Sequence, residues 1–251
     1  MAGLAERQPV RDPGTAARVD LAAAFRLAAR LGLHEGICNH FSLAVPGAHE
    51  RFLLNPYGLH WSEIRAGDLL EVDAAGKVLS GRGKAEATAF FIHARIHRGN
   101  TRANCVLHTH MPQATALTTL ANGRLDWISQ TSVKFYDRVA YYDQYNGLAL
   151  DDEEGDRVCD ALGDKAVLFL ANHGVVVTAD SVAQAFDDLY YLERACELQL
   201  LAYQSGQPLR RLPDAVVRLT AQQMRADAVS AVDHFTALKR LLDRDEPDYA
   251  E

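Results

Sequence analysis

The chain has 251 residues, 48% hydrophobic and 24% charged, a balance that suits a globular fold with a sizeable core. A formal net charge of −7 with no lysine- or arginine-rich run excludes a general nucleic-acid binder. There is no run of about 18 apolar residues, so no membrane span is expected; residues 1–14 hold no signal-peptide core; and four widely spaced cysteines without a CxxC suit a reducing, cytoplasmic setting.

Residues 1–14, charged and carrying Pro9 and Pro13, read as a loose arm. Leu21, Phe25 and Ala28 at helical spacing predict a helix from Thr15 to Leu31, which Gly32 ends. The small and polar stretch from His34 to His40 reads as a loop entering a strand at Phe41. It puts Asn39, His40 and Ser42 where a ligand can be held; the same residues also suit a turn tied by its own side chains. Residues 46–49 read as a hairpin turn, and Phe52-Leu53-Leu54 as a strand that stops at Asn55-Pro56-Tyr57-Gly58. Leu69–Asp73, a turn at Ala75-Gly76 and Val78-Leu79 predict further antiparallel hairpins.

Lys84 to His97 has the pattern of a long helix, with Glu86, Phe90, His93 and His97 on one stripe. His93 and His97, four apart, are candidates either to chelate a metal or to hydrogen-bond behind one. Then comes Cys105-Val106-Leu107-His108-Thr109-His110, an apolar run ending in two histidines. In a strand Val106, His108 and His110 share a face, with the imidazoles about 7 Å apart along it. Two such imidazoles can share a metal, and a third ligand completes a site with open positions. His173 is the third candidate, in Leu168–Val177, where a buried strand breaks at Asn-His-Gly and an apolar run resumes.

Pro112 to Leu120 reads as a short helix with proline in its first turn. The aromatic and polar residues 135–145 offer phenols, Tyr136 and Tyr141 among them, as packing groups or as proton donors beside a metal-bound oxyanion. An acidic-led helix over Asp151–Leu162 and the longest helix, Ser181–Gln204, follow. Residues 207–214 read as a linker, Thr220 to Leu242 as one amphipathic helix, and the acidic end as a frayed tail. The expected organisation is an arm over 1–14, a domain over 15–205, and a linker with a helix over 206–251. No repeat, Gly-x-Gly-x-x-Gly or P-loop pattern is present.

The Asn39-His40-Phe41-Ser42 loop, the Asn55-Pro56-Tyr57-Gly58 turn, His108-Thr109-His110 and Asn172-His173-Gly174 occur in one order. With these motifs the chain resembles the class II aldolase/adducin family over about residues 15–205, and its adducin-like branch more than the sugar-phosphate aldolases. The resemblance implies an α/β fold of three layers, α/β/α, around a central mixed, largely antiparallel sheet. It implies a divalent metal, zinc foremost with manganese or iron as alternatives, held by His108, His110 and His173. It also implies a homo-oligomer, a tetramer in most family enzymes, and a small-molecule substrate held by the Asn39, His40, Ser42, Asn55 and Gly58 set.

Three positions depart from the aldolase pattern. Family aldolases carry a catalytic glutamate four residues before the histidine matching His93; Ala89 stands there, and Glu86 is the nearest carboxylate. Ala87 and Thr88 replace a phosphate-gripping serine pair, and Ala44 replaces an arginine beyond the loop serine. A phosphorylated sugar is thereby disfavoured. The expectation is a metal-dependent lyase, aldolase-like or decarboxylase-like, acting on a small unphosphorylated oxo or hydroxy acid, with Glu86, Tyr136 and Tyr141 as proton-transfer candidates. A non-haem iron oxygenase and a non-catalytic adducin-like scaffold are the alternatives.

Overall fold

A computed structural model describes residues 13–100, 103–148, 151–227 and 229–251. Helix α1 (Pro13–Arg30) leads into two hairpins, β1 (His40–Val45) with β2 (Ala48–Leu54) and β3 (Leu70–Asp73) with β4 (Val78–Ser80). Helix α2 (Ala87–Gly99) crosses to β5 (Cys105–Thr109), which is followed by α3 (Pro112–Thr118), α4 (Gln130–Val133) and β6 (Val139–Tyr142). Then come α5 (Asp152–Leu162), the hairpin β7 (Val167–Leu170) with β8 (Gly174–Ala179), the long α6 (Val182–Gln204), α7 (Asp214–Ala226) and α8 (Val229–Asp245).

The strands form one sheet in the order β4-β3-β2-β1-β5-β8-β7-β6. Every pair is antiparallel except β6 with β7. This is the mixed, largely antiparallel sheet the resemblance implied, and helices cover both faces. Strand alternation decides what each helix meets. Phe41, Leu43, Cys105, Leu107, Val175 and Val177 face a large core built with α1, α3, α6 and α8. Val106, Leu168, Leu170 and Val176 face the other way, onto Ile92 and Ile96 of α2 and Val158 and Leu162 of α5.

On the α1 side, Phe25, Phe41 and Trp61 meet ring against ring at 4.5–5.0 Å. Each such ring, fully buried, contributes roughly 1.5–3 kcal/mol. Their packing also fixes the strand's facing: with Phe41 turned into this core, His40 and Ser42 must emerge under α2.

Two sequence expectations fail toward the C-terminus. The single helix expected over Thr220–Leu242 is two helices, with Asp227 (φ −94°, ψ 66°) closing α7. They serve different surfaces. Val217 and Ala221 pack on Val133, whereas Phe235 and Leu242 enter the main core, and one straight helix cannot do both. The tail is not frayed. Tyr249 is buried, and the buried Arg26 donates to the Ile64 carbonyl (2.8 Å) and to Asp248 (2.8 Å). Helix α2 also starts later than expected: Glu86 is its N-cap, accepting from the Ala89 amide at 2.9 Å, and not a member of its stripe.

Candidate metal centre

His108 and His110 sit at the end of β5, and His173 on the β7–β8 turn beside it. Two local features make that turn possible. Asn172 adopts a left-handed conformation (φ 56°), which asparagine tolerates better than most residues. At Gly174 a Cβ would lie 2.5 Å from the Thr109 carbonyl and 2.8 Å from the His110 ring, so only glycine permits so close an approach. As a result His173 lies against both strand histidines, with ring centroids 4.9 Å from His108 and 4.8 Å from His110.

One ring nitrogen from each of His108, His110 and His173 falls within 4.8 Å of the others. The remaining nitrogens show which atoms are offered. The Nδ1–H of His108 donates to the Val175 carbonyl (3.0 Å), leaving its Nε2 lone pair free. His110 is held at Nδ1 by the Glu35 carboxylate (2.6 Å), while its Nε2 is buried without a hydrogen-bond partner. A buried polar atom without a partner costs about 1–3 kcal/mol unless something binds it. Burial first, then the neighbouring imidazoles, push His108 well below the ordinary histidine value. The same causes bring His173 to about 4. Neutral imidazoles with convergent lone pairs are the donor set of a divalent transition metal, and the residues present fit one.

A second histidine group adjoins the first. His40 pairs with His108 across β1 and β5, their ring centroids 4.8 Å apart. His40 Nδ1 lies 2.7 Å from His93 Nε2, and the Ser42 hydroxyl sits between His93 Nδ1 and His97 Nε2. His97 Nδ1 ends the row on the Ala103 carbonyl at 2.8 Å. Glu86 Oε2 lies 3.9 Å from His40 Nε2, and also accepts from the Thr88 hydroxyl. Asn39 Oδ1 ties the loop down by accepting from the Glu35 and His110 amides (2.7 and 3.4 Å). Asn55 Nδ2 reaches the Asn39 carbonyl at 3.5 Å.

Asn39 and His40 therefore adjoin the three histidines, while Glu86 lies next to His40, Asn55 next to Asn39, and Ser42 between His93 and His97. Gly58 (φ 97°) lies three residues beyond Asn55, at the exposed end of its turn. Tyr136 and Tyr141 are placed elsewhere. Tyr136 packs edge-on against Trp127, and the Tyr141 ring lies between Phe169 and Arg124 while its hydroxyl accepts from the Leu125 amide. The phenol brought to the cluster is Tyr145, 6.3 Å from His173 between ring centroids. It lines a cleft with Tyr142, Glu154, Ile92 and His173. Glu35 and Glu154 had no signal in the sequence, because each is one acid among many until the fold sets it beside a histidine.

Residues 19–200 match the description Class II Aldolase and Adducin N-terminal domain. The chain belongs to this family. A Pseudomonas aeruginosa protein whose name places it among class 2 aldolases is 35% identical over 240 residues, covering 93% of this chain and 92% of its own. The solved structure of an aldolase II superfamily protein from Pseudomonas syringae superposes with a TM-score of 0.89 at 38% identity, over 97% of this chain and 98% of the other. Decarboxylase NovR of Streptomyces niveus is 32% identical over 206 residues, 81% of this chain and 75% of its own. Among the described residues, no helix is long and apolar enough to cross a membrane.

Proposed function

We propose that this family member is a metal-dependent lyase that breaks a carbon–carbon bond in a small, unphosphorylated oxo or hydroxy acid. The observation that carries the reading is the convergence of three imidazoles, with His110 Nε2 buried and unpartnered. His108, His110 and His173 would hold the ion, zinc in the first instance. When bound, such an ion supplies Lewis-acid stabilisation to an oxygen that gains negative charge as the bond breaks.

The protein's own share is orientation and proton handling. Val175 and Glu35 lock the His108 and His110 rings by their outer nitrogens. Asn39 Nδ2 and Asn55 Oδ1 are buried and unpartnered, one donor and one acceptor that suit a substrate's polar groups. Ala89 in place of the family glutamate favours decarboxylation over aldol cleavage, since loss of CO₂ needs no base to deprotonate a hydroxyl. His40, with Glu86 next to it, adjoins the cluster at His108, and Tyr145 adjoins it at His173. These three are preferred for proton transfer over Tyr136, whose ring packs on Trp127, and Tyr141, whose hydroxyl accepts from the Leu125 amide. A homo-oligomer, a tetramer by the family pattern, suits the exposed Leu198 and Leu201 of α6 and Leu219 of α7. The reading places the enzyme in the cytoplasm.

The test is metal analysis of protein purified without added metal or chelator, followed by anaerobic assay against small oxo and hydroxy acids with Zn²⁺ or Mn²⁺. About one equivalent of zinc or manganese, with CO₂ or a smaller carbonyl compound released without oxygen, supports the lyase. Iron with obligatory O₂ consumption would replace it by an oxygenase. No ion, and no uptake of any, would leave a scaffold.

A further inference from the structure

The second histidine group has more hydrogen-bonding order than a packed core needs. Its anchor is the Ala103 carbonyl, which can only accept, so His97 Nδ1 carries a hydrogen. A neutral His97 then has a lone pair on Nε2 and takes the single hydrogen of the Ser42 hydroxyl (2.7 Å). Ser42, its hydrogen committed, must accept from His93 Nδ1–H. That leaves the His93 Nε2 lone pair to accept from His40 Nδ1–H at 2.7 Å. Each step follows from the one before, and His40 Nε2 ends the chain as a lone pair. Burial holds the anchoring ring low, with His97 brought to about 4, and the hydrogen-bond geometry sets the direction of the row from there.

We infer that Ser42, His93 and His97 are positioning residues that lock His40 in its Nδ1–H form, so that a hydrogen-bond acceptor is presented beside the three-histidine cluster. The geometry suits the task. Residues two apart on β1 advance by about 6.6 Å and residues four apart on α2 by about 6 Å. His40 and Ser42 below therefore meet His93 and His97 above in register.

The lock has a consequence for the ligand. His40 Nε2 and Glu86 Oε2 are 3.9 Å apart, and a carboxylate, too, only accepts. A group bridging them has to donate. What is seated here is thus a substrate hydroxyl, whose one hydrogen goes to only one of the two acceptors, or a water, which can donate to both; a carbonyl or a carboxylate does not fit. This consequence rests on the lyase reading; the tautomer itself does not.

The experiment is long-range ¹H–¹⁵N correlation on the metal-free, full-length protein with ¹⁵N-labelled histidine, at pH 7.5. His40, His93 and His97 are expected as single Nδ1–H tautomers, against the Nε2–H form that free imidazole side chains prefer. His40 found as Nε2–H, doubly protonated, or averaging between tautomers overturns the inference with no variant needed. In Ser42→Ala, His93 loses its acceptor, and His40 should convert wholly or partly to Nε2–H; Ser42→Thr should restore the wild-type signal. An unchanged His40 in Ser42→Ala also overturns it. Zinc added to the same sample should move the His108, His110 and His173 signals. Failure of that shift counts against the metal reading alone, while the His40 result stands on the metal-free spectrum.

Discussion

Two clusters of buried and half-buried histidines lie side by side, and they use their nitrogens in opposite ways. In His108, His110 and His173 the ring nitrogens converge and are not bonded to one another, and His110 Nε2 has no hydrogen-bond partner among the described residues. In the second group His40 bonds His93 directly, Ser42 links His93 to His97, and the row ends on a backbone carbonyl. The first arrangement costs stability unless an ion takes up the lone pairs. The second satisfies its members except at the His40 Nε2 end, and gains order from doing so. Two groups of the same residue type, sharing a strand register at His40 and His108, thus divide into a binding site and a support.

The sharpest way to break this contrast is to remove a nitrogen from each side. His108→Ala should abolish stoichiometric metal, read by elemental analysis, because two imidazoles no longer make a three-ligand site. Retention of a full equivalent would mean that the ion, if any, sits elsewhere. Glu35→Gln comes next in size. It keeps the shape but removes the carboxylate that holds His110, and should weaken zinc binding by about 10–100-fold in a chelator competition. The fold should be untouched, since the Glu35 side chain is 67% exposed. On the supporting side Ser42→Ala should leave metal stoichiometry intact yet lower unfolding stability by about 1–3 kcal/mol, the cost of unpaired buried nitrogens. His173→Ala in metal-free protein should cost less than that, because no hydrogen bond to its ring nitrogens is made among the described residues. Denaturant melts of the two metal-free variants compare them directly.

The division was half legible in the sequence. His108 and His110 announce themselves because strand periodicity puts both on one face, and the Asn-His-Gly break marks His173 as the end of a buried strand. The hairpins and the long helices follow from turn residues and apolar periods in the same way, whereas the sheet class follows only from the family resemblance. Pairings between distant elements were not legible. His93 and His97 could be seen as a helical pair, but not that β1 would set Ser42 between them. Glu86 fits a helical stripe by spacing, and only the start of α2 at Ala87 turns it into a cap beside His40. Tyr136 and Tyr141 lie in a run of aromatics in which side-chain direction depends on where β6 begins. That direction puts Tyr141 on Phe169 and leaves Tyr145 to meet His173. The break at Asp227 is likewise set by what the two helices pack against, not by a proline or glycine.

Acid titration draws the finest distinction, and His97 is the residue on which to measure it, since it touches no proposed metal ligand. Burial, opposed by its bond to the Ala103 carbonyl, holds it at about 4, below the ordinary 6.5. On acidification the unfolded chain takes up this proton first. The stabilisation is therefore complete above about pH 6.5 and is lost as the pH falls toward 4, at about 1.4 kcal/mol per pH unit for one such group. His97→Gln removes that share while keeping an acceptor within reach of Ser42. Urea unfolding of metal-free protein between pH 7 and 5 should show a shallower decline in the variant than in the wild type, with the two curves closest together at the acid end. Parallel curves would mean that His97 titrates alike in both states and is not held neutral by burial, and the fixed direction of the chain from Ala103 to His40 would lose its anchor.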